Sequence, residues 1–146
     1  MKSTLWPEGG LADCTDDTSP QSSTVNPPKY VGRADIPQSL LYLAWAMKTN
    51  SRLYPAFEAV ADAIWAGNPG RAISPTFVWS SLRQLSRVAT EGDQFAVNNN
   101  LAPLVARMYA LARPDHKIEL RDGFLDHLND AETAQLPPFR PYRYGL

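Results

Sequence analysis

Pro103 and Pro114 bracket one strongly apolar helix, and the rest of the chain has to be arranged around it. A proline lacks an N–H and clashes with the preceding turn, so a helix tolerates it only in the first turn. Residues 95–114, FAVNNNLAPLVARMYALARP, therefore predict a helix over 101–113 that opens just before Pro103 and stops at Pro114. Asn100 is the expected cap, its side-chain oxygen accepting the backbone N–H of Ala102. Leu101, Leu104, Val105, Met108, Leu111 and Ala112 recur at helical spacing and form the expected inner face. The opposite face is small (Pro103, Ala106, Ala110), flanked by Arg107 on one side and by Tyr109 and Arg113 on the other.

With 146 residues the chain suits one domain with appendages. Residues 1–34 are rich in Ser, Thr, Asp, Pro and Gly and predict an extended or disordered N-terminal arm, with Trp6 and Tyr30 as its candidate anchors. Residues 35–135 predict a single helical domain. Residues 136–146 form a tail in which Phe139, Tyr142 and Tyr144 alternate with Arg140 and Arg143 among prolines. Such a tail suits base stacking, a partner groove or folding back onto its own domain.

Within the domain, Asp35 caps an expected first helix with a stripe of Leu40, Leu43, Ala44 and Met47. So few positions there are polar that burial on more than one side is expected. A second helix is expected from near Pro55, burying Phe57, Val60, Ala61 and Ile64, until Gly67-Asn68-Pro69-Gly70 turns the chain. Ser74-Pro75 starts a third, over 75–88, whose expected inner face is Phe77, Val78, Leu82, Leu85 and Val88. Its expected outer face carries Thr76, Ser80, Arg83 and Arg87, with Trp79 and Gln84 at the edges. Short strands are expected near residues 72, 96 (from Gln94 to Val97) and 119, the last from the alternation of Lys117-Ile118-Glu119-Leu120-Arg121. A final helix is expected over 123–135, with Phe124, Leu125, Leu128 and Ala131 inward. The expected fold class is mainly α with a small β-sheet (α+β), winged-helix-like in its order of helices and strands.

Tests for chemistry are mostly negative. His116 and His127 have no second metal ligand at a recognised spacing with cysteine. Asp122, Asp126 and Asp130 would line one face of a helix with His127 beside them, which fits a solvated acidic face better than a metal site. There is no glycine-rich phosphate loop, no G-x-S-x-G and no H-E-x-x-H. A non-enzymatic protein without cofactor or metal is the expectation. Cys14 is the only cysteine, which fits a reducing compartment. No stretch is apolar enough to span a bilayer, so no membrane is expected.

The net charge is −1, with a mildly basic middle between acidic flanks. Arg83, Arg87, Arg107 and Arg113, with Trp79 and Ser80, form the candidate nucleic-acid-binding set, because arginines one turn apart with hydroxyls and an aromatic suit phosphate contact. A solvated helix face accounts for the same residues.

Phe95-Ala96-Val97-Asn98-Asn99-Asn100, followed by Ala106-Arg107, resembles a motif of small bacterial and phage proteins in which a helix rich in arginine and aromatics precedes it. The similarity covers roughly residues 52–122. It implies a phage or mobile-element protein with a winged-helix-like core and carries over no catalytic residue. The chain departs from that pattern in being less basic and in placing Ala102 and Leu104 beside the asparagines. Two functions are expected. One is nucleic-acid binding, to duplex DNA, through the arginine-bearing helices. The other is a structural or assembly role, in which extended arms tie the chain to its own copies or to other virion proteins. The location would be host cytoplasm or virion.

Overall fold

A computed structural model describes residues 27–88 and 95–142. Residues 1–26, 89–94 and 143–146 lie outside the described residues, and with them Trp6, Cys14, Gln94, Arg143 and Tyr144. The elements are α1 (Ile36–Thr49), α2 (Leu53–Gly67), α3 (Pro75–Val88), α4 (Ala102–Ala112) and a single-turn α5 (Asp130–Thr133). Three 3-10 turns, Gly32–Ala34, Asn99–Leu101 and Phe124–His127, join or precede them.

Helix starts follow local chemistry. The Asp35 carboxylate accepts the Gln38 N–H at 3.1 Å, and Ile36-Pro37 follows it into α1. The Ser74 hydroxyl accepts the Phe77 N–H at 3.3 Å with Pro75 in first position of α3. Gly70, at φ +88°, takes the left-handed conformation that lets the chain turn back after α2. At the asparagine corner the cap is Asn98 rather than Asn100. Its carboxamide oxygen accepts the Asn100 N–H at 3.0 Å, and a 3-10 turn intervenes before α4.

α4 runs through the middle. Leu104, Val105, Ala106, Arg107, Tyr109 and Ala110 are all buried, so Ala106 and Ala110 of the side expected to be the small outer face are covered as well, while Pro103 stays exposed. Leu111, expected inside, is exposed. The cover comes from beyond α4: Leu125, Leu128, Leu136 and Phe139 are buried in the same core as Leu43, Phe57, Val78, Leu82 and Leu104. Upstream of α1, Tyr30 packs edge-on against Tyr42, and Ser39 ties down the turn by donating its hydroxyl to the Gly32 carbonyl at 2.9 Å.

The small sheet is not formed among the described residues. Among the described residues strand pairing reduces to one isolated parallel bridge, Ile73 with Ile118. The Ile73 N–H donates to the Lys117 carbonyl at 2.8 Å, and the Glu119 N–H to the Ile73 carbonyl at 2.9 Å. The ladder cannot extend forward, because the next donor would be residue 75, a proline that already begins α3. Backward, the Arg71 N–H is held by the Asn68 carbonyl in the turn after α2. Near residue 96 a side chain substitutes for a strand. Asn50 donates its amide to the Ala96 carbonyl at 2.7 Å and accepts the Ala96 N–H at 3.1 Å, the two bonds a neighbouring strand would supply. The fold is therefore helical rather than α+β, and one isolated bridge makes no wing among the described residues.

The single helix expected over 123–135 is also divided. Leu128 is extended (ψ 150°), and Asn129 and Glu132 form a reciprocal capping box that starts α5 afresh. No helix among the described residues is long and apolar enough to cross a membrane.

Candidate interaction face

The outer surface of α3 is organised differently from the sequence expectation. The helix packs most extensively on α2, through Val78, Trp79 and Leu82. Trp79, expected at an edge, is buried: its ring lies 6.1 Å from that of Phe57, and its indole N–H donates to the Asn99 side-chain oxygen at 3.0 Å. Seating this large residue inward rotates Phe77, Leu85 and Val88 out, with exposures of 58%, 45% and 75%. At 100° per residue these three and Ser81 share one stripe. Ala59 and Ala63 of α2 are exposed as well, and neither bears a charge.

A second stripe runs beside the first. Thr76, Ser80 and Arg87 are exposed and Arg83 half-buried, and the Arg83 guanidinium donates to the same Asn99 oxygen that Trp79 uses. No residue of α3 is acidic. The helix thus presents an apolar ridge with a positive margin.

The other expected site residues lie elsewhere. Arg107 is 3% exposed, its Nε and Nη2 donating to the two oxygens of fully buried Asp126 at 2.7 and 2.6 Å. Its remaining bonds go to the carbonyls of Pro103 (3.0 Å) and Arg121 (2.6 Å). Asp126 also accepts the N–H of Gly123 at 2.9 Å and of Tyr142 at 2.7 Å. Burial alone would raise the Asp126 carboxyl, but these hydrogen bonds and the Arg107 charge hold it below its ordinary value. The acidic repeat at 122, 126 and 130 accordingly makes no face: Asp122 pairs with His127 at 2.8 Å on the surface while Asp126 is interior. No group of three potential metal ligands converges among the described residues.

Arg113 belongs to a separate cluster at the end of α4, which the sequence did not single out. It grips Asp62 through Nε (3.2 Å) and Nη2 (3.1 Å), with Glu58 at 3.5 Å. The Tyr109 hydroxyl lies 2.7 Å from Asp62 and 2.7 Å from His116 Nδ1, and Trp65 stacks on the His116 ring at 4.7 Å. A phenol has one proton to give. Donated to the Asp62 carboxylate, it leaves the oxygen to accept from His116, so the proton of that ring sits on Nδ1. Burial, then the Asp62 hydrogen bond, raises the Tyr109 phenol, and burial and Glu58 do the same for Tyr54, so neither is poised to act as a phenolate. Hydrogen bonding joins these groups to one another, and none is a nucleophile with a free base beside it.

A groove of about 740 Å³ opens between α1 and the extended segment after residue 95, lined by Tyr42, Trp45, Phe95 and Val97 with Asn50 at its side. Pro27 and Pro28 form part of one wall and Ser86 of α3 part of another. Compared with protein-family models, curated proteins and solved structures, the chain matches none.

Proposed function

We propose that this chain is a non-enzymatic interaction protein that docks a protein partner on the outer face of α3, in keeping with an assembly role in a phage or other mobile element. The observation that carries the reading is the exposed ridge of Phe77, Leu85 and Val88. Three large apolar side chains on one stripe have the composition of an interface centre, where charge is depleted and large apolar groups are anchors. The arginine margin favours a partner whose carboxylates flank its own apolar face. The assignment to a mobile element rests on the F-x-V-N-N-N…A-R resemblance alone.

Contact with duplex DNA is the competing reading, and it now rests on a smaller set. Arg83, Arg87 and Ser80 remain together at the surface, whereas Arg107 and Arg113 are committed to carboxylates and Trp79 is inside.

One titration separates the two. The ¹⁵N-labelled protein is mixed with a synthetic helix bearing leucines at i, i+3, i+4 and i+7 between glutamates, and separately with a duplex. Docking predicts shift changes at Phe77, Ser81, Leu85 and Val88 that Leu85→Glu abolishes while helix content is unchanged. Changes confined to Ser80, Arg83 and Arg87 with duplex, collapsing steeply with salt, would select nucleic acid instead. No response at α3 to either probe would overturn both.

A further inference from the structure

We propose that residues 1–26 of this chain are an intrinsic occupant of the outer face of α3, lying on it in the absence of a partner and competing with one. The inference rests on the docking reading in taking that face to be a protein-binding surface.

The two surfaces are complementary in charge. α3 carries Arg83 and Arg87 and no carboxylate, beside the exposed ridge of Phe77, Leu85 and Val88. Residues 1–26 carry the reciprocal chemistry: Glu8, Asp13, Asp16 and Asp17 against a single Lys2, with Leu5, Trp6 and Leu11 among the large apolar side chains of their first half. A large aromatic and two leucines among carboxylates match an apolar ridge with an arginine margin, and a tryptophan is the residue type that most often anchors such a contact.

The place where the segment joins the domain fits the same occupant. Pro27 and Pro28, the first described residues after the segment, line the same groove as Ser86, on another wall of it, so the segment joins the domain across that groove from the last turn of α3. The 14 residues of α3 span about 21 Å at 1.5 Å per residue. From Asn26 back to Trp6 the chain can reach about 66 Å at ~3.3 Å per residue, three times what is needed. Held on its own chain, the segment is present at a high effective concentration, so weak contacts suffice for occupancy. If it covers the face in about nine molecules of ten, the apparent affinity for an outside partner falls about tenfold.

The native chain carries its own reporter, since Cys14 is its only cysteine and lies within the segment. A nitroxide attached to Cys14 of the full-length protein should broaden the amide resonances of α3 around Ser81, Leu85 and Val88. Those of α5 should be spared, and the pattern should be unchanged on tenfold dilution. Replacing Glu8, Asp13, Asp16 and Asp17 together by their amides should remove the broadening and tighten binding of the acidic probe helix about tenfold. Broadening spread evenly over the domain, or centred on the Tyr42–Trp45 groove, would overturn the proposal, as would broadening that fades on dilution, which would place the segment of a second copy there. If the probe helix binds the native and the neutralised chains equally, this inference fails and the docking reading stands. If the probe binds neither while the broadening at α3 persists, the docking reading fails and the intrinsic contact stands.

Discussion

Replacing Arg107 with alanine removes the guanidinium that neutralises a carboxylate with no solvent exposure. Asp126 would keep the N–H groups of Gly123 and Tyr142 but lose both charged bonds, at 2.7 and 2.6 Å. Breaking one side of a buried ion pair costs about 3–5 kcal/mol, because the surviving charge is left in a medium that solvates it poorly. The carbonyls of Pro103 and Arg121 also lose a donor, but both residues are exposed and water can substitute, so they add little. Against a total stability of about 5–15 kcal/mol, the loss is a large fraction. Urea unfolding of the full-length protein at pH 7, followed by far-UV circular dichroism, measures it. Asp126→Asn should also destabilise, and the double variant should lose less than the sum of the single ones, since each removes the partner that the other leaves unpaired. An Arg107→Ala protein within about 1 kcal/mol of wild type would refute the reasoning.

Truncating Leu104 to alanine should cost about 2–5 kcal/mol in the same assay, because the site is closed on every side and cannot collapse fully. Asn50→Ala should leave the Ala96 N–H and carbonyl without their partner, and hydrogen exchange should accelerate at Ala96 while α4 keeps its protection. Asp62 and Asp126 are both held below the ordinary carboxylate value, so the stability they add is present above about pH 4 and lost as pH falls through their folded values. Wild-type stability should therefore decline in acid, and the decline should be shallower in Asp126→Asn. Tyr109→Phe should cost about 1–2 kcal/mol and, by ¹⁵N spectroscopy of the imidazole, release His116 from the Nδ1–H form.

Where the sequence was informative, the determinant was local. Asp35, Ser74 and Pro103 mark helix starts whatever the rest of the chain does, because a cap or a missing N–H acts within one turn. The face of α3 was not legible in the same way. Its apolar residues fill two adjacent stripes, and the choice between them is made by Trp79, which gains Phe57 and Asn99 from other parts of the chain. Phe77, Leu85 and Val88, whose spacing suits a core stripe equally well, are the candidate site for that reason. The alternation at 117–121 was real, since Ile118 and Leu120 are half-buried between exposed neighbours, but alternation cannot say that the facing strand stops at Pro75. The role of Asp126 is not legible locally, because its partner lies 19 residues earlier on another element. A four-residue acidic period describes a helix face only if the helix continues.

The binding of Tyr142 and Arg140 to the Arg107–Asp126 pair bears on the order in which a ribosome delivers this domain. The Arg140 N–H donates to the Arg107 carbonyl at 3.1 Å, and the Tyr142 N–H is a ligand of the Asp126 carboxylate. Until that last stretch has emerged, α1 to α4 can collect their apolar faces, but Phe139 has not covered α4 and the Asp126 carboxylate is one donor short. Folding during synthesis should then stop at a protease-sensitive intermediate and finish abruptly. Nascent chains arrested with Pro138 just outside the exit tunnel should be cut readily, and those arrested far enough downstream to expose Tyr142 should resist.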